Sequence, residues 1–230
     1  MKMIPFGRSG LNVPALALGC MRLNRLDAKE AETYVKTALD LGANFFDHAD
    51  IYGGGACEEI FGKAIAGIPR DKLIIQTKCG IVPGKRYDFS AEHILNSVDE
   101  SLKRLGVDYV DALLLHRPDA LMDPVEVAEA FSRLKASGKV LNFGVSNQNS
   151  MQMQLLQKYM PMPICAPNRA SFRLFIIIGM SSSIGQLSQQ YRQPVQGTLF
   201  FIPSPMSSSS ASSAAESGCT AAKVSTFCCI

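Results

Sequence analysis

The sequence contains no tryptophan, three histidines, and seven cysteines that are odd in number and lack metal-type spacing. This pattern supports neither a zinc site nor a disulfide framework, so a reducing cytoplasm is the expected compartment. Long apolar runs are also missing: the longest one late in the chain covers residues 174–180, whereas a membrane helix needs roughly 20 residues. The N-terminus has no charged region followed by a long apolar stretch, so no secretory signal is predicted.

The chain also has little excess charge of either sign, with 23 Lys and Arg against 20 Asp and Glu. Residues 1–165 hold 19 of each sign, whereas residues 166–230 hold four basic residues and a single acid, Glu216. A net charge of +3 without a cluster of Lys and Arg provides no electrostatic surface for nucleic acid or an anionic membrane. We therefore expect neither of these partners.

An apolar run within the stretch from Gly42 to Gly55 ends abruptly in groups that ionise or form hydrogen bonds. Residues 44–46 have the aromatic content of a short buried strand, and three glycines close the stretch. The polar residues between them are Asp47, His48, Asp50 and Tyr52. In a parallel α/β protein this end of a strand is where ligands bind. Taken alone, the stretch fits equally well a polar loop after a core strand.

Strand and helix patterns alternate five times along residues 15–159. Strands are predicted at 15–19, 45–47, 73–77, 109–115 and 142–146, and helices at 27–41, 58–66, 90–105, from about 123 to before Gly138, and at 151–159. A small hairpin is predicted before them, around Gly7 to Gly10, and residues 163–166 could open a sixth strand. Such alternation predicts right-handed crossovers and a parallel sheet.

The pattern changes after residue 165. Residues 166–230 contain 14 serines, against eight in the 165 residues before them, and no Asp. Prolines interrupt the little apolar pattern that exists there, and such a segment does not readily offset an ordering entropy of about 1–2 kcal/mol per residue. We therefore divide the chain into a structured part, 1–165, and a Ser-rich tail, 166–230, that is poorly ordered. A frame artefact or splice variant is an alternative origin for the tail.

Five segments carry a resemblance to a known family: GRSGLNVPALALG, FFDHADIYGGG, IIQTKCG, YVDALLLHRPD and GKVLNFGVSNQN. In this order and spacing, the chain resembles the aldo-keto reductase superfamily, and its bacterial branch more than its mammalian one. The resemblance covers about residues 1–165. It implies a TIM-type (β/α)₈ barrel, but since such a barrel needs ~250 residues or more, we expect an incomplete barrel of five to six strand–helix units.

The resemblance places the family's catalytic tetrad on Asp47, Tyr52, Lys78 and His116. It also implies that Ser146 and Asn147 hold the carboxamide of a nicotinamide cofactor, with Asp47 beside them. On local grounds alone, a Ser-Asn helix cap explains that pair equally well. Each tetrad residue likewise has an ordinary structural alternative, but four suitable types at one end of three successive strands favour a site. His48, Asp50 and Arg117 are only neighbouring or surface candidates.

The chemistry that the resemblance implies can be stated in physical terms. Reducing a carbonyl requires a hydride, which the cofactor supplies, and a proton, which the protein must supply. Tyr52 is a usable acid only if a cation favours its anionic form, and Lys78 would be that cation, oriented by Asp47. His116 would donate a hydrogen bond to the substrate oxygen as charge develops there.

The predicted function is NADPH-dependent reduction of small aldehydes or ketones. Residues 166–230 offer no counterpart to the family's adenosine-phosphate clamp, which makes activity of this chain an open point. The alternatives are a non-catalytic binding or regulatory module and an inactive truncated product. The sequence predicts no metal site and leaves the oligomeric state undetermined.

Overall fold

The computed structural model of this chain describes residues 1–160, 164–165 and 175–178. An antiparallel hairpin comes first, formed by β1 (Met3–Pro5) and β2 (Asn12–Pro14), and β3 (Leu16–Gly19) follows it directly. Strand–helix units then continue with α1 (Ala28–Asp40), β4 (Phe45–Asp47), α2 (Ala56–Ala64), β5 (Ile74–Cys79), the short strands β6 (Ile81–Val82) and β7 (Arg86–Tyr87), α3 (Ala91–Leu105), β8 (Val110–Leu115), α4 (Pro124–Ala136), β9 (Val140–Val145), α5 (Ser150–Tyr159), β10 (Ile164–Cys165) and β11 (Phe175–Ile178).

The main sheet has the strand order β10-β9-β8-β5-β4-β3-β11, and every neighbouring pair in it is parallel. Strand β8 is buried at all six positions, as expected for a parallel strand covered on both faces. The predicted α/β fold of the TIM-barrel type is therefore confirmed over the described residues, which contain five strand–helix units and the predicted sixth strand.

The ends of the helices follow local signals in the sequence. Asp27 caps α1 and forms a capping box with Glu30, while Ser90 caps α3 and Gly106 ends it in the left-handed region with φ of 65°. These caps satisfy backbone groups that a helix end leaves without partners. The predicted bounds of these two helices are therefore correct, whereas α2 begins at Ala56, two residues before its predicted start.

Two features of the sheet differ from the prediction. Strand β5 continues through Cys79, so Lys78 lies within the strand and not just beyond it. Strand β11, which pairs in register with β3 from Leu16 to Gly19, was not predicted and lies within the Ser-rich tail. The rest of that tail, where poor order is expected over residues 166–230, lies outside the described residues.

The core lies mainly between the sheet and the helices that cover it. The ring of Phe46 packs on Phe61 of α2 at 4.9 Å between centroids, and Phe131 of α4 stacks on Phe143 of β9 at 4.4 Å. A second apolar cluster joins the N-terminal hairpin to the inner face of the sheet, and consists of Phe6, Val13, Ala17, Phe45 and Ala112. Because Phe45 begins β4, this cluster lies away from the carboxyl ends of the strands, where the polar residues gather.

Candidate active site

Asp47 and Lys78 become neighbours through the pairing of β4 with β5. Asp47 is the register partner of Gln76, and the pairing continues past the end of β4, since the His48 N–H donates to Gln76 O and the Asp50 N–H donates to Lys78 O. These two hydrogen bonds hold the backbone of β5 next to the segment that follows β4, around Lys78. Asp47 and Lys78 are 3% and 6% exposed, so their charges face each other in a protein environment and not in water.

The Lys78 ammonium group forms three contacts. It lies 2.7 Å from Asp47 Oδ1, donates to His48 O at 2.7 Å, and donates to Tyr52 Oη at 3.1 Å. Burial lowers the pKa of Lys78, but Asp47 and Tyr52 together outweigh burial, so that the pKa lies above its ordinary value. Lys78 is therefore charged at neutral pH, and its three N–H donors all have acceptors.

Tyr52 reaches this ammonium group because the backbone turns sharply after it. The residue opens a short 3₁₀ turn, Tyr52–Gly55, in which Gly53 and Gly54 have positive φ values of 60° and 66°. A Cβ atom on Gly53 would lie 3.1 Å from the Asn24 side chain, so glycine suits both the conformation and the space. The resulting turn holds the Tyr52 hydroxyl over the end of β5.

His116 follows the end of β8 and packs against Tyr52. The two ring centroids lie 5.9 Å apart and the rings are nearly perpendicular, at 80°. The backbone N–H of His116 donates to the backbone carbonyl of Cys79. Burial, helped by Lys78 and Arg117, lowers the pKa of His116 to about 3. The imidazole is therefore neutral at pH 7, and its Nδ1 atom is buried without a hydrogen-bond partner in the described part of the chain.

Ser146 and Asn147 lie at the end of β9, beside His116. The Ser146 N–H donates to Leu115 O, and Asn147 Nδ2 donates to His116 O at 3.2 Å and to Ser146 Oγ at 2.8 Å. Asn147 has φ of 61°, a left-handed conformation that Asn tolerates better than most residues. The structure thus brings the predicted pair to the same end of the sheet as the tetrad.

Gln148, which no motif in the sequence indicates, follows this pair. Both polar atoms of its side chain are buried without a partner in the described residues. A buried amide with no hydrogen bond is costly, and a nicotinamide carboxamide offers the donor and acceptor that would match it. The residues at the end of β9 therefore fit that part of the cofactor.

Two further groups near the site were missed by sequence reasoning. Gln76 Nε2 donates to Asp47 Oδ1 at 2.5 Å. The fully buried Glu58 accepts from Thr77 Oγ1 at 2.7 Å and pairs with Arg104 at 2.8 Å. Both depend on contacts between separate elements, so local pattern could not reveal them. Among the described residues, no cluster of His, Cys, Asp and Glu is suited to a metal ion.

Residues 15–174 match the family model described as the Aldo/keto reductase family. The chain belongs to this family. It is 43% identical over 189 residues to the uncharacterized oxidoreductase YcsN of Bacillus subtilis, covering 76% of this chain and 63% of that protein. It is 40% identical over 164 residues to the 6-dehydroglucose reductase of Novosphingobium aromaticivorans, covering 67% of this chain and 54% of that protein. The chain thus spans roughly half to two thirds of the length of these curated relatives.

A solved structure supports the fold. The aldo-keto reductase AKR11C1 from Bacillus halodurans, in its holo form, superposes with a TM-score of 0.66 and 28% identity, covering 85% of this chain and 70% of that one. The resemblance drawn from the sequence motifs is therefore confirmed. The relatives of the chain include oxidoreductases, and the family generally uses NAD(P)H. No helix in the described ranges is long and apolar enough to cross a membrane.

Proposed function

We propose that this chain catalyses the NADPH-dependent reduction of small aldehydes or ketones, with Tyr52 as the proton donor. The observation that carries the proposal is the position of Lys78 Nζ, 2.7 Å from Asp47 Oδ1 and 3.1 Å from Tyr52 Oη, in a buried setting. A cation fixed beside a phenol favours the phenolate and so makes the phenol a better acid. The relatives' names support the reaction class.

The residues divide the work as follows. NADPH supplies the hydride for the carbonyl carbon when it is bound. Tyr52 transfers its proton to the carbonyl oxygen, which completes the alcohol, and the phenolate left behind is stabilised by Lys78 until solvent returns a proton. Asp47 keeps Lys78 charged and in place. The neutral His116 donates one ring N–H toward the substrate oxygen and so stabilises negative charge as it develops.

The end of β9 holds the reactive end of the cofactor in this proposal. Ser146 and Asn147 are already joined to each other and to the backbone of His116, so the carboxamide they bind would lie next to the tetrad. Gln148 adds an amide that lacks a partner in the described part of the protein. A cytoplasmic location is also proposed, supported by Cys20, Cys57 and Cys79, which are free thiols.

The test is an assay of the full chain against a panel of small aldehydes and ketones at millimolar NADPH. Tyr52→Phe is expected to lower kcat by about 10²–10⁴-fold, the usual contribution of a general acid, with cofactor affinity almost unchanged. Tyr159→Phe is the matched control, because Tyr159 lies exposed on α5, and it should retain full activity. If the Tyr52 variant kept more than about a tenth of the rate, the assigned role would be wrong.

The same assay separates the alternatives. NADPH binding without turnover of any carbonyl would favour a binding or regulatory module. A chain that folds but neither binds NADPH nor reduces a carbonyl would be an inactive product. Either result would reject the proposed reductase activity.

A further inference from the structure

Gln76 makes a contact at the centre of the site, and the proposed proton transfer assigns it no role. It lies on β5 two residues before Lys78, so both side chains leave the same face of the strand. Gln76 is 3% exposed, and its Nε2 atom donates to Asp47 Oδ1 at 2.5 Å. Lys78 Nζ lies 2.7 Å from that same oxygen. One carboxylate oxygen thus accepts from two donors on a single strand.

We propose that Gln76 is a positioning residue that holds the Asp47 carboxylate in place and, through Asp47, maintains the charge interaction between Lys78 and Tyr52. The inference rests on the proposed function, because it assigns a role within the same site. Asp47 and Gln76 are direct register partners on neighbouring strands, so the backbone holds the amide beside the carboxylate. Lys78 is held by the same strand, which makes the three groups one rigid unit.

The physical reason lies in the charge of Asp47. A hydrogen bond to an ionised acceptor is about twice as strong as one between neutral groups, and a donor favours the ionised form of a carboxyl. The Gln76 amide donates without adding net charge, so it stabilises the Asp47 anion and leaves its attraction for Lys78 in place. The same hydrogen bond also restricts rotation of the Asp47 carboxylate, which keeps Oδ1 directed at Lys78.

Two substitutions separate this role from simple packing. Gln76→Met keeps the approximate volume but removes the donor at every pH, and we expect kcat to fall about ten-fold with a small change in KM. Gln76→Glu places a second carboxyl beside Asp47. When that carboxyl is protonated it donates to Asp47, but once it ionises, two carboxylates repel each other. The Glu variant should therefore be nearly active at low pH and lose activity as pH rises, whereas the Met variant shows no such added transition.

A second readout does not require turnover. The difference in tyrosinate absorbance between each full-length protein and its Tyr52→Phe counterpart isolates the ionisation of Tyr52. In Gln76→Glu, the added negative charge is expected to lower the ratio of ionised to neutral Tyr52 at a fixed alkaline pH by about ten-fold. Gln154→Glu adds the same charge on the exposed face of α5 and should leave that ratio unchanged.

The outcomes are distinguishable. If Tyr52 ionises in Gln76→Glu as it does in the wild type, the positioning role is overturned. If the ratio falls as expected but the wild type reduces no carbonyl, the proposed function fails while the role of Gln76 in the charge network stands. Should neither variant fold, Gln76→Asn retains an amide one methylene too short to reach Asp47. An unchanged kcat and pH profile for that variant would also overturn the proposal.

Discussion

His48 is a fully buried histidine whose two ring nitrogens have no hydrogen-bond partner in the described part of the chain. Its ring packs on Phe61 at 4.4 Å between centroids. Burial, followed by the nearby Lys78, lowers its pKa to about 3 from an ordinary value of 6.5. The imidazole is therefore a neutral group in the core, and its protonation opposes folding. The backbone carbonyl of His48 accepts a hydrogen bond from Lys78.

This burial predicts a loss of stability in acid. Between pH 6.5 and about 3 the unfolded chain binds a proton at His48 that the folded chain excludes, so the free energy of unfolding falls as pH falls. The slope is about 1.4 kcal/mol per pH unit, or roughly 2 kcal/mol from pH 6.5 to pH 5. Denaturant unfolding of His48→Leu should show this loss reduced by that amount. An unchanged slope in His48→Leu would contradict the prediction.

Asp50 carries a pH dependence of the opposite sign. Burial, followed by the charge of Glu58, raises its pKa to about 7 from 3.8, and its Oδ1 atom lacks a partner in the described residues. Because the folded pKa is raised, the folded chain binds the extra proton between pH 4 and 7. That contribution is complete below about pH 4 and is lost as pH rises through 7.

Asp50→Asn should therefore stabilise the protein above pH 7, where the wild type holds a buried charge. The expected gain in the free energy of unfolding is up to about 4 kcal/mol at pH 8, and little or none at pH 4. Denaturant unfolding at both pH values measures it. Asp99→Asn, which removes an exposed ion pair with Lys139, should give no comparable gain at pH 8. An Asp50 variant that behaved in the same way would contradict the assigned burial effect.

The candidate site contains some residues that the sequence identifies and others that it does not. The family resemblance predicts the tetrad Asp47, Tyr52, Lys78 and His116, whose positions at one end of successive strands support it, and the structure brings all four together. Their catalytic roles remain predictions. Gln76, Glu58 and Gln148 were missed, since glutamine and glutamate are common polar residues whose meaning here depends on burial and on partners from other elements.

The hairpin formed by β6 and β7 is an element that the sequence did not predict. Its strands have two residues each, too short to show alternation. Its base is set by Gly80, whose φ is 98° and whose Cβ, if present, would lie 1.8 Å from the Phe89 ring. By contrast, the bounds of α1 and α3 were predictable, because Asp27, Ser90 and Gly106 act within a few residues of chain.

The close approach at Gly80 predicts a difference between two glycine substitutions in this hairpin. Gly80→Ala must both adopt a left-handed conformation and displace Phe89, so we expect a loss of about 3 kcal/mol or more. Gly84→Ala shares the positive φ, 71°, but its Cβ would meet no atom within 4 Å, so about 1 kcal/mol is expected. Thermal or denaturant unfolding of the two variants measures the gap. Equal losses would show that Phe89 moves aside without cost.

The arrangement of the whole sheet was predictable only in part. Alternating strand and helix patterns predicted a parallel sheet, and β3, β4, β5, β8 and β9 confirm it. The pairing of β11 with β3 joins Phe175 to Leu16, across most of the described residues, and no periodicity signals a contact of that separation. Composition argued against a strand in the tail because it averages over many residues, whereas pairing needs only a short apolar run.

The positions of the candidate cofactor-binding residues lead to a prediction about cofactor affinity. The described residues that the proposed function assigns to NADPH are Ser146, Asn147 and Gln148, all at its nicotinamide end. Hydrogen bonds contribute roughly 0.5–1.5 kcal/mol each, against an association cost of about 4–15 kcal/mol, so a few of them fall short of the roughly −8 kcal/mol that micromolar affinity requires. Remote phosphate and adenosine contacts normally supply much of the remainder and hold the reacting end in place.

Calorimetric titration of the full chain with NADPH should therefore give a Kd weaker than micromolar, and reductase activity should rise with cofactor into the millimolar range. Ser146→Ala should weaken the remaining binding further, since it removes a hydroxyl from the carboxamide site, while Ser132→Ala, on α4, should not. Micromolar or tighter binding by the wild type would contradict the prediction. It would also assign the missing phosphate contacts to residues outside the described ranges, and the chain would then carry a more complete cofactor site than its sequence pattern indicates.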